Sequence, residues 1–198
     1  AKRLSEQRRA ASSRLKEQVE ASIRQLGMPN ALFSISLSAK EGQQGRAVCG
    51  PWGMDKVEFL IAPNPGEGQK SLRNIASGGE LSRIMLALKT ALADEDDIGS
   101  LIFDEIDSGI GGEVALALGS HLHALGHKKQ VLCITHLASI AVRADKHIKV
   151  EKHAESNRTV TGFRYLSRMN WQNRITLVSM NQVHLCPYWA YSISGTNS

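Results

Sequence analysis

Two apolar runs in this chain end in residues that can do chemistry. Leu101-Ile102-Phe103 runs into Asp104-Glu105-Ile106-Asp107, and Val131-Leu132-Cys133-Ile134-Thr135 runs into His136. Continuous Leu/Ile/Val/Phe runs read as strands buried on both faces of a parallel sheet. In such sheets ligands collect just past the carboxyl ends of the strands. Asp104 is therefore placed to hold Mg²⁺, directly or through water, and Glu105 to orient or deprotonate a water.

A third stretch suits an anion. Ser77-Gly78-Gly79-Glu80 has the Ser-x-x-Glu spacing of a capping box. Its two glycines fall where bare backbone N–H groups can approach a ligand with no Cβ in the way. Behind them Leu81, Ile84, Met85, Leu88 and Leu92 recur at helical spacing as one apolar stripe. A helix that begins so offers amides and the positive end of its dipole to a phosphate. The same residues serve equally as the cap of an ordinary core helix, and this stretch alone does not separate the two.

Taken in order, the stretches carry a resemblance. Ser77-Gly78-Gly79-Glu80-Leu81-Ser82-Arg83, the Asp104-Glu105 run, Ser108-Gly109-Ile110 and Thr135-His136 resemble four motifs of the ABC/SMC-type ATPases. These are the signature motif, Walker B, the D-loop and the switch histidine. Asn64-Pro65-Gly66-Glu67, the run from Ala76 to Lys89, Phe103 to Asp107 and Ile134 to Leu137 resemble more narrowly a bacterial branch of that family that acts in DNA double-strand-break repair. The resemblance covers roughly residues 1 to 166, in the order and spacing of the C-terminal half of the head.

It implies an α/β, P-loop NTPase-like head lobe: a mostly parallel sheet with flanking helices, preceded by the base of a helical, coiled-coil arm. It implies ATP and Mg²⁺ as ligands, with Asp104 serving the metal. Glu105 and His136 are the implied catalytic pair, His136 contacting the γ-phosphate. Ser77, Gly78, Gly79, Glu80, Ser108 and Gly109 are the implied nucleotide-binding residues. The implied partners are the N-terminal half of the same head, a second head and DNA, in a bacterial cytoplasm at the nucleoid, with no membrane.

Gly66-Glu67-Gly68-Gln69-Lys70-Ser71 mimics a phosphate-binding P-loop, but Gln69 stands where the motif needs glycine before Lys-Ser and Asn64 stands at its first glycine. Walker A is thus expected N-terminal to the arm. Two other readings compete: the nucleotide-binding domain of a transporter, and a non-enzymatic dimerisation or binding module. The basic arm, and Ile106 where transporter domains place proline after the glutamate, speak against the first.

The elements that must position these residues follow from pattern. Residues 2–26 read as a helix through Leu4, Ala11, Leu15, Val19, Ile23 and Leu26. It carries seven basic against three acidic residues, either a nucleic-acid contact or a solvated helix face. Phe33–Leu37 and Val57–Ile61 read as a hairpin with a long connection, and Pro63 and Pro65 are expected to forbid regular structure up to residue 77. A helix with Val114, Leu118, Leu122 and Leu125 inward precedes the His136 strand, and a short helix near 138–144 follows it. Ile148 and Val150 open a strand that pairs with 159–166 across a loop at 153–158.

The lobe is expected over 27–166, with 167–198 a divergent tail, frameshifted or disordered. Trp171, Trp189, Tyr188 and Tyr191 crowd into that tail without periodicity.

The bulk numbers bound the rest. At 198 residues, 42% apolar and 22% charged, the chain has the length and composition of one globular domain. Net charge is +5. Three widely spaced cysteines imply no disulfide framework, which fits a reducing compartment. No apolar run approaches a membrane span, and no signal peptide opens the chain. His121, His123, His127, Cys133, His136, His147 and His153 invite a zinc reading, but no Cys-x-x-Cys accompanies them and solvated histidines with a core cysteine are the expectation. Asp107 reads as a third metal ligand or, by the resemblance, as the turn into the D-loop. Lys70, Arg73 and Arg83 are expected at the surface or between subunits.

Overall fold

The computed structural model describes residues 1–40, 48–155, 158–166 and 175–180. Its contacts divide it into two units, one from Ala1 to Asp97 and one from Ile98 onward.

The first unit begins with α1, Lys2–Gln25. Its burial increases toward the C-terminal end. Leu4 is exposed, whereas Val19, Ile23 and Leu26 are fully buried. β1 (Leu32–Ala39) and β2 (Asp55–Ala62) form the expected antiparallel hairpin, in the register Leu32↔Ala62 to Ala39↔Asp55. Helix α2 (Gly78–Ala91) follows, and α1 packs on both α2 and β1. Phe33, Ile61, Ile84 and Leu88 join Val19 and Ile23 in the core. Burying each such side chain contributes about 1.5–3 kcal/mol.

Polar contacts fasten α1 at both ends. The Glu20 carboxylate accepts the Phe33 N–H at 3.1 Å, satisfying a backbone donor at the head of β1. Near the other end, Asp55 of β2 accepts from the Ser5 hydroxyl at 2.7 Å and pairs with Arg8 at 2.8 Å. Arg8 also reaches the Trp52 carbonyl at 2.8 Å. Ser5 and Arg8 together hold the Asp55 carboxyl below its ordinary value. The loop before β2 comes so close that a Cβ on Gly53, whose φ is +85°, would stand 3.0 Å from Leu4 Cδ2. Arg8 thus has a structural job, while Arg9, Arg14 and Lys16 remain exposed.

Three expectations need correction here. The segment after Pro63 and Pro65 is not irregular throughout. β3 (Lys70–Ser71) pairs antiparallel with β2, and a 3-10 turn at Leu72–Asn74 follows. Both prolines precede this pairing, so neither removes a donor from it. Arg83 is not a surface residue: it is only 6% exposed, and burial lowers its pKa while Glu80 opposes the shift. The buried face of α2 is also wider than the expected stripe. Leu86 and Ala87 are fully buried, whereas Leu81, Met85 and Leu92 are only half-buried.

The second unit is a five-stranded sheet in the order β4-β5-β8-β6-β7. β4 (Ser100–Phe103), β5 (Gln130–Ile134), β8 (Ile175–Met180) and β6 (Lys146–Glu155) run parallel, and β7 (Arg158–Leu166) closes the sheet antiparallel to β6. α3 (Gly112–Gly126) joins β4 to β5, and α4 (Ala138–Ala141) follows β5. α3 and α4 touch closely at Gly119, where a Cβ would stand 3.3 Å from the Ser139 carbonyl oxygen.

This sheet also differs from the reading above. β4 is the edge strand among those described, and Ile102 is 70% exposed, so the run 101–103 is not buried on both faces. The β6–β7 ladder runs through to Glu155↔Arg158, turning most of the expected loop at 153–158 into strand. The stretch left without an element supplies β8, which pairs with β5 and β6. Residues 167–174 and 181–198, with Trp171, Cys186 and the aromatic cluster, lie outside the described residues. Among the described residues no helix is long and apolar enough to cross a membrane.

Candidate functional site

The phosphate-facing element is the start of α2. Ser77 is its N-cap, in extended conformation, and its side-chain oxygen accepts the Glu80 N–H at 3.3 Å. One of the orphan donors of the first turn is thereby satisfied. Ser77 and Gly78 are exposed, Gly79 is buried and Glu80 is half-buried. Beside them opens a polar cleft of about 180 Å³, with Asn64, Glu67, Lys70, Asn74, Ser77 and Glu80 in its lining. Asn64 Nδ2 donates to Glu67 Oε1 at 2.7 Å, and Lys70 Nζ lies 3.7 Å from Glu67. Lys70 is therefore held by a carboxylate on β3. It does not follow a glycine at a helix start, as a P-loop lysine would.

The carboxylates and the histidine meet in the second unit. β4 and β5 are hydrogen-bonded neighbours with Phe103 opposite Cys133. Their parallel register brings the residues after Phe103 and those after Ile134 out at the same end of the sheet. Asp104 and Glu105 are both exposed there. The Glu105 N–H donates to Asp104 Oδ1 at 2.8 Å.

Glu105 has φ +55°, the one non-glycine residue with positive φ among those described. Left-handed backbone in a side-chain-bearing residue costs roughly 1–3 kcal/mol and is found where a site demands it. The turn it makes is closed by the Ser108 N–H donating to the Glu105 carbonyl at 3.0 Å. Ser108 and Gly109 stand exposed just beyond.

Asp107 is the residue whose role the sequence left undecided. It is buried at 5% exposure, and its Oδ2 gathers donors from the end of β5. The Thr135 hydroxyl donates to it, and so does the His136 N–H at 2.9 Å. His136 Nδ1 stands 3.0 Å from the same oxygen, with the ring side chain 64% exposed. Thr135 Oγ1 in turn accepts the Leu137 N–H at 3.0 Å. One carboxylate thus ties the loop after β4 to the loop after β5. In the sequence its only signal was an acidic residue in the turn after one strand and Thr-His at the end of the next.

The local field is negative. Burial pushes the Cys133 thiol up to about 12, and Asp107 and Asp104 add to the shift. An exposed aspartate in such a field suits a hard cation, and carboxylate oxygen is the donor Mg²⁺ prefers. Burial lowers the His121 pKa, while His123 and His127 meet edge to face at 4.9 Å and His123 Nδ1 lies 3.2 Å from the Arg143 carbonyl.

No protein-family model matches the chain. Two solved structures share its fold. The chain is similar to the Smc head domain of Pyrococcus furiosus, with TM-score 0.51 and 22% identity over 77% of this chain and 34% of that one. It is also similar to the Smc head domain of Pyrococcus yayanosii, with TM-score 0.53 and 21% identity over 77% of this chain and 26% of that one. The parallel sheet, its strand-end carboxylates and this likeness define the fold as a lobe of an ABC/SMC-type head.

Curated relatives narrow the class. The chain is 49% identical over 158 residues to the DNA repair protein RecN of Treponema pallidum, covering 80% of this chain and 28% of that protein. It is 37% identical over 174 residues to RecN of Bacillus subtilis, covering 83% and 30%. With RecN of Deinococcus radiodurans the identity is 46% over 147 residues, covering 74% and 25%. The chain belongs to the RecN family, and it spans less than a third of the length of these relatives.

Proposed function

We propose that this segment is the signature- and Walker B-bearing lobe of a RecN-type ATPase that acts in double-strand-break repair. The observation that carries the reading is the shared end of β4 and β5, which presents an exposed Asp104, a left-handed Glu105 and an exposed His136 together.

In the proposed reaction Mg²⁺, held by Asp104, neutralises phosphate charge as it does across phosphoryl-transfer enzymes. Glu105 accepts the proton of the attacking water through its exposed carboxylate. His136 meets the γ-phosphate from the neighbouring strand. Ser77, Gly78 and Gly79 serve a second head: their helix N-terminus offers amides to the γ-phosphate of a nucleotide bound there, with Glu80 completing the cap. Ser108 and Gly109 line the same composite site as the D-loop. No Gly-x-x-x-x-Gly-Lys-Ser/Thr occurs in the 198 residues, so the P-loop comes from the N-terminal half of the head.

DNA is the proposed partner of the assembled protein, and the exposed Arg9, Arg14 and Lys16 of α1 offer a backbone contact. The test is co-expression of this chain with the P-loop-bearing half of a RecN head. The expected result is ATP turnover by the pair, with neither half active alone. A well-folded pair with no turnover would reduce the chain to a dimerisation or binding module.

A further inference from the structure

We infer that Asp107 is a positioning residue: it fixes His136 with Nδ1–H turned inward, so that Nε2 alone faces the nucleotide. The inference rests on the ATPase reading for its consequence and on geometry for its premise. Asp107 is 5% exposed, yet its Oδ2 lies within hydrogen-bonding distance of Thr135 Oγ1, His136 N and His136 Nδ1. A carboxylate oxygen only accepts, so every group facing it must bring a proton.

The first two partners supply theirs by nature. An imidazole nitrogen supplies one only in the Nδ1–H tautomer or in the charged ring, so Nδ1 carries a proton in both charge states. All proton exchange with the nucleotide side then falls to Nε2, which accepts when the ring is neutral and donates when it is charged. The two backbone-anchored bonds make this stiff. Thr135 and the His136 N–H fix the carboxylate against the end of β5 whether or not the ring is present, so the ring docks on a preset acceptor.

The experiment is nitrogen-15 NMR of the histidine rings in this chain, followed by kinetics after reconstitution with the P-loop half. At alkaline pH, neutral His136 is expected as the Nδ1–H tautomer. Asp107→Ala should return it to the Nε2–H form that free imidazole side chains favour. Thr135→Val, which removes a clamp bond without touching the ring contact, should leave the Nδ1–H tautomer in place. If Asp107→Ala does not fold, the wild-type tautomer and Thr135→Val still decide. Finding Nε2–H in the wild-type chain overturns the inference.

In the reconstituted ATPase, Asp107→Ala should lower kcat roughly 10–100-fold, the usual loss for a group that orients another. KM for ATP should change little. The double variant Asp107→Ala/His136→Ala should be no slower than His136→Ala alone, because both changes remove one function. Additive losses would mean that Asp107 acts independently of the ring and would overturn the positioning role. A confirmed tautomer with full turnover in His136→Ala would instead leave the clamp intact and refute the role of the histidine in hydrolysis.

Discussion

At the start of α2, Ser77, Gly78, Gly79 and Glu80 are consecutive in the chain, and one helix cap arranges them. At the ends of β4 and β5, Asp104, Glu105, Asp107 and His136 come from two strands, and a buried carboxylate joins partners 28 and 29 residues apart. The first arrangement is local and would form in any context that lets the helix form. The second exists only when the parallel sheet has formed and the two strand ends stand side by side. A local motif can therefore be offered outward to another subunit, whereas chemistry that demands several groups in one place is built on the sheet.

Substitutions can break this contrast, and the largest effect is expected at the strand ends. Glu105→Gln keeps size and hydrogen bonding but cannot take a proton. In the reconstituted ATPase it should retain ATP binding and lose roughly 10²–10⁴-fold in turnover. Turnover within a few-fold of wild type would remove Glu105 from the role of base.

Next comes the signature element, where bulk or charge should block a docking surface without touching the chemistry of its own head. Ser77→Arg or Gly78→Asp should leave ATP binding at the same head's P-loop nearly intact while turnover falls on the order of 10²-fold, the scale of lost positioning. The defect should act in trans. Mixing signature-dead with P-loop-dead heads forms dimers with one composite site lacking both elements and one intact. Normal turnover by signature-dead protein alone would make Ser77 a helix cap and nothing more.

Ser77→Ala measures the local half by itself. It removes the oxygen that accepts the Glu80 N–H, so urea denaturation should register a loss of about 1 kcal/mol. A loss several times larger would mean that this cap also carries tertiary structure.

The smallest effect concerns the fastening of α1 to β2. The Asp55 carboxyl is held below its ordinary value of 3.8 by the Ser5 hydroxyl first and Arg8 second. A depressed carboxyl stabilises the fold fully above 3.8, and that contribution disappears as pH falls through the lower folded-state value. Ser5→Ala should therefore lower the melting temperature slightly at pH 7, and its difference from wild type should shrink in acid. A gap that stays constant down to strongly acidic pH would show that Ser5 contributes by packing and not through the carboxylate.

Much of this molecule was legible before any coordinates. The spacing of Val19, Ile23 and Leu26 marked the buried end of α1, and Ser77-x-x-Glu80 marked the start of α2. The apolar runs ahead of Asp104 and His136 marked the two strands whose ends carry the chemistry. These features are short-range: periodicity, caps and strand ends are properties of neighbouring residues. What the sequence withheld depends on which surfaces meet. Arg83 lies on a helix face that tertiary packing buries, and Ile102 is exposed because β4 is an edge strand among those described. β8 draws its place from the unpaired backbone of β5 and β6 on either side, and not from its own periodicity. Glu105 is turned into the left-handed region at the junction of β4 with the loop that follows it. Asp107 acquires its meaning only when the sheet sets it against Thr135 and His136, because a carboxylate in a turn is undetermined until folding chooses its donors.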